Sequence, residues 1–398
     1  MSRSTHSGLS CAAAIVGIGA TEYSKNSGRS EMQLATEAVT AALADAGLSA
    51  TEVDGFATFT IDNNLEIEVA RNIGAGDLRF FGRVGYGGGG ACAPMLQAAM
   101  AVATGVAEVV VCYRAMNERS EYRFGSPSVF SAQIAGSDAA LKSLHTVHGL
   151  RTPPAMIALL ARRYMHEYGV TSEDFGRVAV AARRHAANNP AAWFYGKPIT
   201  LADHQASRMI ADPLRLLDCC QETDGAAAVV ITSAERASHL PHRPALIRAA
   251  AQGASVGMLS LTNYYVPDIC DALEVSLVAR QLYEMAKVGP RDIQVAILYD
   301  HFTSSVLMQL EACGFCGRGE APDYIKDGGI QIGGHLPVNT NGGQLGEGYV
   351  HGMNGIVEAV RQIRGSSINQ ITDVENVLVT ASLSAPSSGM ILSVSGAK

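Results

Sequence analysis

Short apolar runs alternate with amphipathic stretches along the chain. Residues 13–17 (AAIVG), 53–60 and 108–114 (EVVVCYR) are predicted strands, because runs of apolar and β-branched residues of this length are typical of buried strands. Residues 31–46 (EMQLATEAVTAALADA) predict an amphipathic helix, and Gly47 follows it as a stop signal. The alternation of strands with helices predicts an α/β fold.

This pattern occurs twice. The first half contains ALADAGLSATEVDGFATF and the second contains LYEMAKVGPRDIQVAILY, and each combines a helix end, a turn, an acidic residue (Glu52 or Asp292) and an apolar strand. A glycine-rich segment, a helix and a strand follow in each half, beginning at YGGGGACAPM and at GGQLGEGYVH. Two copies of one α/β unit predict two similar halves that pack together.

A long, mostly helical stretch separates the halves. It predicts an inserted loop domain that covers a ligand, and residues 224–233 (DGAAAVVITS) then predict the last strand of the first half. The predicted domains are an N-terminal half of residues 1–116 and 214–240, a helical insert of residues 117–213, and a C-terminal half of residues 241–398.

Composition excludes several classes of function. The chain has 398 residues, 47% of them hydrophobic, and a net charge of −7 without a basic run, so a groove that follows nucleic-acid phosphates is not expected. No apolar run approaches the roughly 20 residues of a membrane helix, and the polar start MSRSTHSGLSC lacks the apolar core of a secretory signal. A cytoplasmic protein without a membrane segment is expected.

The eight cysteines are scattered, which favours a reduced compartment and buried thiols. Cys313 and Cys316 form a C-x-x-C motif, but a second ligand pair at zinc spacing is missing. No metal site is therefore expected.

Several segments, in their order and spacing, resemble the thiolase superfamily, and in particular its sterol-carrier-protein and lipid-transfer-protein branch. The segments are 13–23 (AAIVGIGATEY), 105–108 (GVAE), 152–154 before a long helix, 224–228 (DGAAA), 295–302 (VAILYDHF) and 342–355. The resemblance covers nearly the whole chain. It implies a five-layer αβαβα core made of two duplicated halves, usually in a dimer.

The catalytic positions of such thiolases depart from the family pattern here. The resemblance implies a nucleophilic cysteine at the start of the glycine-rich helix, where this chain has Gly88, and Cys92 lies about one helical turn later. A cysteine at a helix N-terminus can attack a thioester, but one turn displaces its sulfur by roughly 6 Å. Cys92 stays a secondary candidate, with a packed helical thiol as the alternative.

Tyrosine stands at both histidine positions of the family. The family motif His-Asp-x-Phe is YDHF here, which begins at Tyr299, and Gly-His-Pro is GYV, in which Tyr349 is central. The resemblance therefore implies two phenols that face one pocket, although each tyrosine alone could be a packed core residue. Asp300, His301 and His351 are secondary candidates, and Gly88, Gly348 and Tyr265 are expected to line the substrate or oxyanion loop.

Two proton-transfer groups without a sulfur nucleophile suit retro-aldol cleavage of a β-hydroxyacyl-CoA. One group removes the hydroxyl proton, the bond between the α and β carbons breaks, and the other group protonates the thioester enolate. Backbone N–H groups of glycine-rich loops can hold the enolate oxygen. A tyrosine has an ordinary pKa of about 10, so one phenol needs a perturbing neighbour to act as a base.

The chain is also similar to the lipid-transfer-protein-like aldolases of bacterial steroid side-chain degradation. This resemblance implies a 17-hydroxysteroid with a three-carbon CoA side chain as the substrate, and a ketosteroid and propionyl-CoA as the products. It also implies a homodimeric core bound to a small OB-fold protein or hydratase-subunit domain, and no cofactor apart from the substrate's own coenzyme A. Tyr265 lies in an NYYV segment that lines the steroid pocket or forms an ordinary loop.

Two other functions stay open. The first is a thiolase or acyltransferase that uses Cys92 or Cys220, and the second is a non-catalytic scaffold that binds acyl-CoA in a hydratase complex. The sequence does not select the ring system, the stereochemistry, or which tyrosine is the base.

Overall fold

The computed structural model describes residues 8–60, 63–121, 123–126, 143, 145–256, 264, 266–383 and 386–394. The strands are β1 Ala13–Ala20, β2 Gly55–Phe59, β3 Phe80–Val84, β4 Val109–Asn117, β5 Met209–Ala211, β6 Leu214–Arg215, β7 Asp224–Ser233, β8 Ala245–Gly253, β9 Val295–Ile297, β10 Asn376–Thr380 and β11 Ser387–Ser393. The helices are α1 Glu31–Ala46, α2 Glu66–Ile73, α3 Ala93–Ala103, α4 Pro153–Tyr168, α5 Ser172–Asn188, α6 Leu201–Ala206, α7 Ala234–Ala237, α8 Leu273–Ala286, α9 Thr303–Ala312, α10 Ala321–Tyr324, α11 Gly343–Gly346 and α12 Met353–Arg364.

The main sheet joins both halves of the chain in the strand order β3-β2-β4-β7-β1-β8-β11-β10-β9. The halves meet where β1 and β8 pair antiparallel, at Ala14 with Leu246 and Ile15 with Ala245. Strands β1 and β4 are longer than predicted, because β7 pairs with β1 as far as Ala20 and with β4 as far as Asn117.

The predicted duplication is present in the topology. In the first half β3, β2 and β4 are parallel, and β4, β7 and β1 follow as antiparallel neighbours. In the second half β9 and β10 are parallel, and β10, β11 and β8 are antiparallel. Val338 forms a parallel bridge with Ala296 of β9 and so occupies the place that β3 has beside β2.

Helices form three layers, one on the outer face of each half of the sheet and one between the two halves. Helix α1 packs on the outer face of the first half, α8 packs on the outer face of the second, and α3 and α12 lie between the halves and contact strands of both. Three buried clusters of side chains fill the spaces between these layers. The arrangement confirms the predicted αβαβα core of two duplicated halves.

Helix α1 shows how local sequence sets this packing. Ser30 caps its first turn by accepting the N–H of Gln33, and Gly47 ends it in the left-handed conformation at φ 68°. A Cβ atom at Gly17 of β1 would lie 2.8 Å from the Cβ of Ala46. Small residues on both elements therefore allow the close contact between helix and strand.

The stretch between β4 and β7 supplies α4, α5 and α6, and the β5–β6 hairpin. It is tied to the second half by backbone hydrogen bonds, from Trp193 N–H to the Glu347 carbonyl (2.8 Å) and from Phe194 N–H to the Gly346 carbonyl (3.3 Å). Part of this stretch lies outside the described residues, and the predicted domain boundaries stay a prediction. Within the described ranges, no helix has the length and apolar character needed to cross a membrane.

Candidate active site

The two tyrosines approach each other from different elements of the second half. Tyr299 lies just beyond the end of β9, and Tyr349 lies in the loop between α11 and α12. Their hydroxyl oxygens are 3.3 Å apart, within hydrogen-bond distance, and both side chains are buried. The geometry expected from the sequence, with both phenols meeting at one point, is therefore present, whereas their catalytic role stays a prediction.

Helix α9 fixes the backbone of Tyr299. Its N–H donates to Gln309 Oε1 (3.3 Å) and to Thr380 Oγ1 (3.3 Å), while Gln309 Nε2 donates to the Tyr299 carbonyl (2.8 Å). The Thr380 hydroxyl also donates to Gln309 Oε1 at 2.6 Å. All of these groups are buried, so the loss of any of these hydrogen bonds would destabilise the fold.

Tyr349 is held by the first half of the chain. Its N–H donates to Thr223 Oγ1 (2.8 Å), and the same hydroxyl donates to the Tyr349 carbonyl (3.1 Å). The ring of Tyr349 packs edge-on against Phe124, with 6.3 Å between ring centroids. Both halves and the region after β4 therefore contribute to the position of this phenol.

Asp300 supports the loop that leads to Tyr349. Its carboxylate accepts the N–H groups of Gln344 (2.8 Å) and Leu345 (3.3 Å) and so caps the short helix α11. Burial raises the pKa of Asp300 to about 6, and the backbone N–H donors oppose this rise. Asp300 thus has a structural partner for each oxygen.

Gly88 lies directly against the Tyr299 phenol. A Cβ atom at Gly88 would be 2.6 Å from the ring carbon that bears the hydroxyl, and closer still to the hydroxyl oxygen. Real Cβ contacts of this length essentially do not occur. The Tyr299 hydroxyl therefore occupies the space where a side chain at residue 88 would project.

Burial keeps the phenols and the neighbouring imidazoles neutral. Desolvation raises the pKa of Tyr299. Desolvation, together with the nearby Tyr299 phenol, also raises the pKa of Tyr349. Desolvation also lowers the pKa of His301 to about 4 and holds that of His351 well below its ordinary value. Each histidine ring contacts a tyrosine ring, His301 with Tyr299 at 5.2 Å and His351 with Tyr349 at 5.3 Å between centroids.

A cavity of about 630 Å³ opens onto this site. Its lining comprises Lys25, Glu118, Arg123, Phe124, Gly125, Thr152, Pro153, Pro154, Ala179, Arg183, Trp193, Phe194, Ile199, Arg208, Ile210, Leu216, Leu217, Cys219, Cys220, Gln221, Glu222, His301, Phe302, Leu345 and Tyr349. Apolar side chains with a few charged groups among them are typical of a pocket for a largely apolar ligand. The region between β4 and β7 supplies one wall of the cavity, and its role in covering a ligand stays a prediction.

Three of the other predicted positions lie elsewhere or are not described. Cys92 is buried in the central layer and does not line the cavity, and burial raises the pKa of its thiol to about 12. The backbone at Gly348 faces the ring of Tyr23, since a Cβ there would be 2.8 Å from a ring carbon. Tyr265 lies outside the described residues. Cys220 does line the cavity, and burial holds its thiol pKa well above the ordinary value.

Glu118 was not predicted from the sequence as a site residue. It follows β4 directly, is 2% exposed and lines the cavity, and burial with the nearby Glu222 raises its pKa to about 8. Its signal in the sequence is a carboxylate at the end of the apolar run EVVVCYRAMN. Polar residues at strand ends often belong to sites in α/β folds.

The fold, the central phenol pair and its cavity define an α/β enzyme of thiolase architecture. A family model described as "Thiolase, N-terminal domain" matches residues 13–235, and one described as "Thiolase C-terminal domain-like" matches residues 261–393. The chain belongs to the thiolase family.

Three proteins show high similarity over most of their length. The chain is 62% identical to "Steroid side-chain-cleaving aldolase" of Thermomonospora curvata, covering 96% of this chain and 97% of the relative. It is 61% identical to "17-hydroxy-3-oxo-4-pregnene-20-carboxyl-CoA lyase" of Mycobacterium tuberculosis, covering 96% and 100%. A solved structure named "Ltp2-ChsH2(DUF35) aldolase" is 60% identical, with a TM-score of 0.92 and coverage of 97% and 99%. These relatives confirm the expectation of an aldolase within the thiolase family.

Proposed function

We propose that this chain cleaves the side chain of a 17-hydroxysteroid acyl-CoA by a retro-aldol reaction that uses Tyr299 and Tyr349. The observation that carries the proposal is the contact between their hydroxyl oxygens at 3.3 Å, beside Gly88. A cysteine at residue 88 would collide with Tyr299. The site is therefore suited to proton transfer and not to covalent capture of an acyl group.

The neutral phenol pair can move protons without forming a phenolate. In the proposed concerted step, one phenol oxygen accepts the hydroxyl proton of the substrate as that phenol gives its own proton to the other, so that neither phenol carries a charge. The bond between the α and β carbons breaks, its electrons form the thioester enolate, and the second phenol protonates the α carbon. Each tyrosine ends with one proton, so the pair is regenerated.

Burial favours this relay over a free phenolate base. An isolated phenolate in a desolvated site is costly, and both tyrosines have pKa values raised by burial. His301 and His351 are neutral neighbours, and their Nδ1 atoms have no hydrogen-bond partner among the described residues. They can accept a hydrogen bond from a phenol or from the substrate.

The names of the relatives support the proposed substrate and partner. Two relatives are named for cleavage of a steroid side chain or of a 17-hydroxy pregnene carboxyl-CoA, so the proposed products are a ketosteroid and propionyl-CoA. The named Ltp2-ChsH2(DUF35) assembly supports a partner domain of that type for this chain. An OB fold in that partner, a homodimeric core, a cytoplasmic location and the absence of a further cofactor remain part of the proposal.

Substitution of each tyrosine tests the assignment. With the chain co-expressed with its genomic partner and supplied with a 17-hydroxysteroid acyl-CoA, Tyr299→Phe and Tyr349→Phe should each lower kcat by roughly 10²–10⁴-fold. Tyr283→Phe is the matched control, because that hydroxyl donates to the Cys313 carbonyl (2.9 Å) and the residue does not line the cavity. Product formation is measured as ketosteroid and propionyl-CoA.

Two outcomes would favour the other functions. If Cys92→Ala lost all turnover while Tyr349→Phe was normal, a thiolase or acyltransferase would be the better assignment. If the partner complex formed tightly but cleaved no β-hydroxyacyl-CoA, the chain would be a binding scaffold.

A further inference from the structure

Glu118 is a buried carboxyl group in the cavity wall that the phenol relay does not use. Its Oε1 accepts the N–H of Phe124 at 3.3 Å. Its Oε2 is buried and has no hydrogen-bond partner among the described residues. The Phe124 ring packs against Tyr349, and Glu118 is near enough to Tyr349 to contribute to the raised pKa of that phenol. A buried polar atom without a partner among the described residues, on a residue that lines a cavity, is a candidate to bond a ligand there.

The surrounding charges do not neutralise a carboxylate at this position. Burial and the nearby Glu222 carboxylate disfavour the ionised form of Glu118. The positive charges of Lys25 and Arg123 favour that form, but more weakly, so the pKa of Glu118 rises to about 8. Lys25 Nζ is already engaged by Gln221 Oε1 (3.0 Å) and the Glu222 carbonyl (2.7 Å). Arg123 donates to the Glu222 carboxylate at 2.6 Å. Glu118 therefore holds its proton at neutral pH.

The other titratable neighbours reinforce this state. Glu118 contributes to the raised pKa values of the Cys220 thiol and the Tyr349 phenol, which both stay neutral. An ionised Glu118 would face two groups that give it no compensating positive charge. With Oε1 occupied as an acceptor by Phe124, the proton resides on Oε2, which leaves this oxygen as a hydrogen-bond donor without a partner among the described residues.

We propose that Glu118, as a neutral carboxylic acid, donates a hydrogen bond from Oε2 to the thioester carbonyl oxygen of the bound acyl-CoA. This inference rests on the proposed retro-aldol function, in which negative charge develops on that oxygen as the enolate forms. A donor placed where charge develops stabilises the transition state more than the ground state. Neutral carboxylic acids serve this purpose beside a tyrosine in other enzymes that form enolates.

A glutamine reproduces the hydrogen-bonding pattern of this neutral acid. In Glu118→Gln the amide oxygen accepts the Phe124 N–H and the amide nitrogen donates into the cavity, so kcat at pH 7 should stay within roughly tenfold of wild type. Glu118→Ala removes the donor and should lower kcat by roughly 10²–10³-fold. Glu121→Gln is the control, since Glu121 does not line the cavity.

The pH profile separates the two chemical roles of the carboxyl group. Wild-type kcat should fall as the pH rises through about 8, where Glu118 ionises, and this fall should be absent in Glu118→Gln. If Glu118→Gln is as inactive as Glu118→Ala, the carboxylate is required and the proposal is wrong. Full activity in Glu118→Ala would also overturn it.

Binding and infrared measurements test the inference without cleavage. The affinity for propionyl-CoA should weaken above pH 8 in wild type but not in Glu118→Gln. The infrared difference spectrum between wild type and Glu118→Gln should show the C=O band of a protonated carboxyl group at pH 7. Absence of that band, or identical pH dependence of binding, contradicts the role of Glu118 while cleavage still supports the aldolase. Failure of wild type to cleave substrate, with both signals present, rejects the aldolase and leaves the hydrogen bond to the thioester standing.

Discussion

In the proposed function, the chemistry of this site depends on the side chains at residues 88, 299 and 349. A tyrosine at 299 requires a glycine at 88, since the phenol fills the space of any side chain there. The hydroxyl of Tyr299 in turn reaches the hydroxyl of Tyr349 at 3.3 Å. Residues 88 and 299 stand where the resemblance implies the nucleophile and a histidine of thiolases, so in the proposed function the tyrosine at 299 excludes a nucleophilic side chain at 88.

Gly88→Ala tests this coupling with a single methyl group. The added Cβ would contact the Tyr299 ring at 2.6 Å, and the tyrosine backbone is held by Gln309, so the phenol must rotate away from Tyr349. We expect a loss of lyase activity of roughly 10²–10⁴-fold, similar to the loss of a proton-transfer group. Activity is assayed as ketosteroid release, and the melting temperature reports folding.

Gly85→Ala is the matched control, because a Cβ there meets nothing within 4 Å. It should leave both activity and melting temperature close to wild type. Normal turnover by Gly88→Ala would show that the contact between residue 88 and Tyr299 does not hold the phenol in its working position.

The two phenols are positioned mainly by the short connections that carry them, one after β9 and one before α12, and less by the strands. Beyond β9, helix α9 satisfies the backbone of Tyr299 through Gln309. Before α12, the α11 turn is capped by Asp300 and leads to Tyr349. Asp300 directly follows Tyr299 in the chain, so the segment after β9 that carries Tyr299 also supports the loop that carries Tyr349. A structural role of the Asp in the YDHF motif follows from this arrangement.

Gln309→Leu should affect activity through the position of Tyr299. The leucine cannot bond the buried N–H and carbonyl of Tyr299, which costs about 1–3 kcal/mol of unfolding free energy. We expect a lower kcat with little change in KM, because the substituted residue, Gln309, does not line the cavity. Denaturant unfolding and steady-state kinetics check both effects. An unchanged kcat in a folded, destabilised variant would show that α9 does not position the phenol.

The duplicated halves could be predicted from the repeated pattern along the chain, whereas the five layers and the phenol pair were implied by the resemblance to the thiolase superfamily. The repeated helix–turn–strand segments gave the duplication, and the YDHF and GYV motifs gave Tyr299 and Tyr349. Glu118 was not predicted, since its raised pKa comes from burial and from Glu222, which only the folded chain brings beside it. The contact of Gly348 with Tyr23 was missed for the same reason.

At the scale of the whole molecule, the central helices connect the two halves. Helix α12 contacts β9, β10, β11 and β8 of the second half and β1 and β7 of the first. The tyrosines and their supports also come from both halves, since Thr223 of the first holds Tyr349 of the second. A site shared in this way requires that the halves stay together. Larger chains often unfold domain by domain, so cooperative unfolding is a specific expectation here.

Ile356→Ala tests this cooperativity, because Ile356 of α12 is fully buried in the central layer. The substitution should lower the unfolding free energy by about 2–5 kcal/mol. Fluorescence of the single tryptophan, Trp193, which bonds the Glu347 carbonyl, and far-UV circular dichroism should show one coincident transition, shifted equally. Ile368→Ala, at a residue that is 57% exposed, should shift neither signal appreciably. Two separate transitions, of which only one moved, would mean that the halves fold independently and that the shared layer does not couple them.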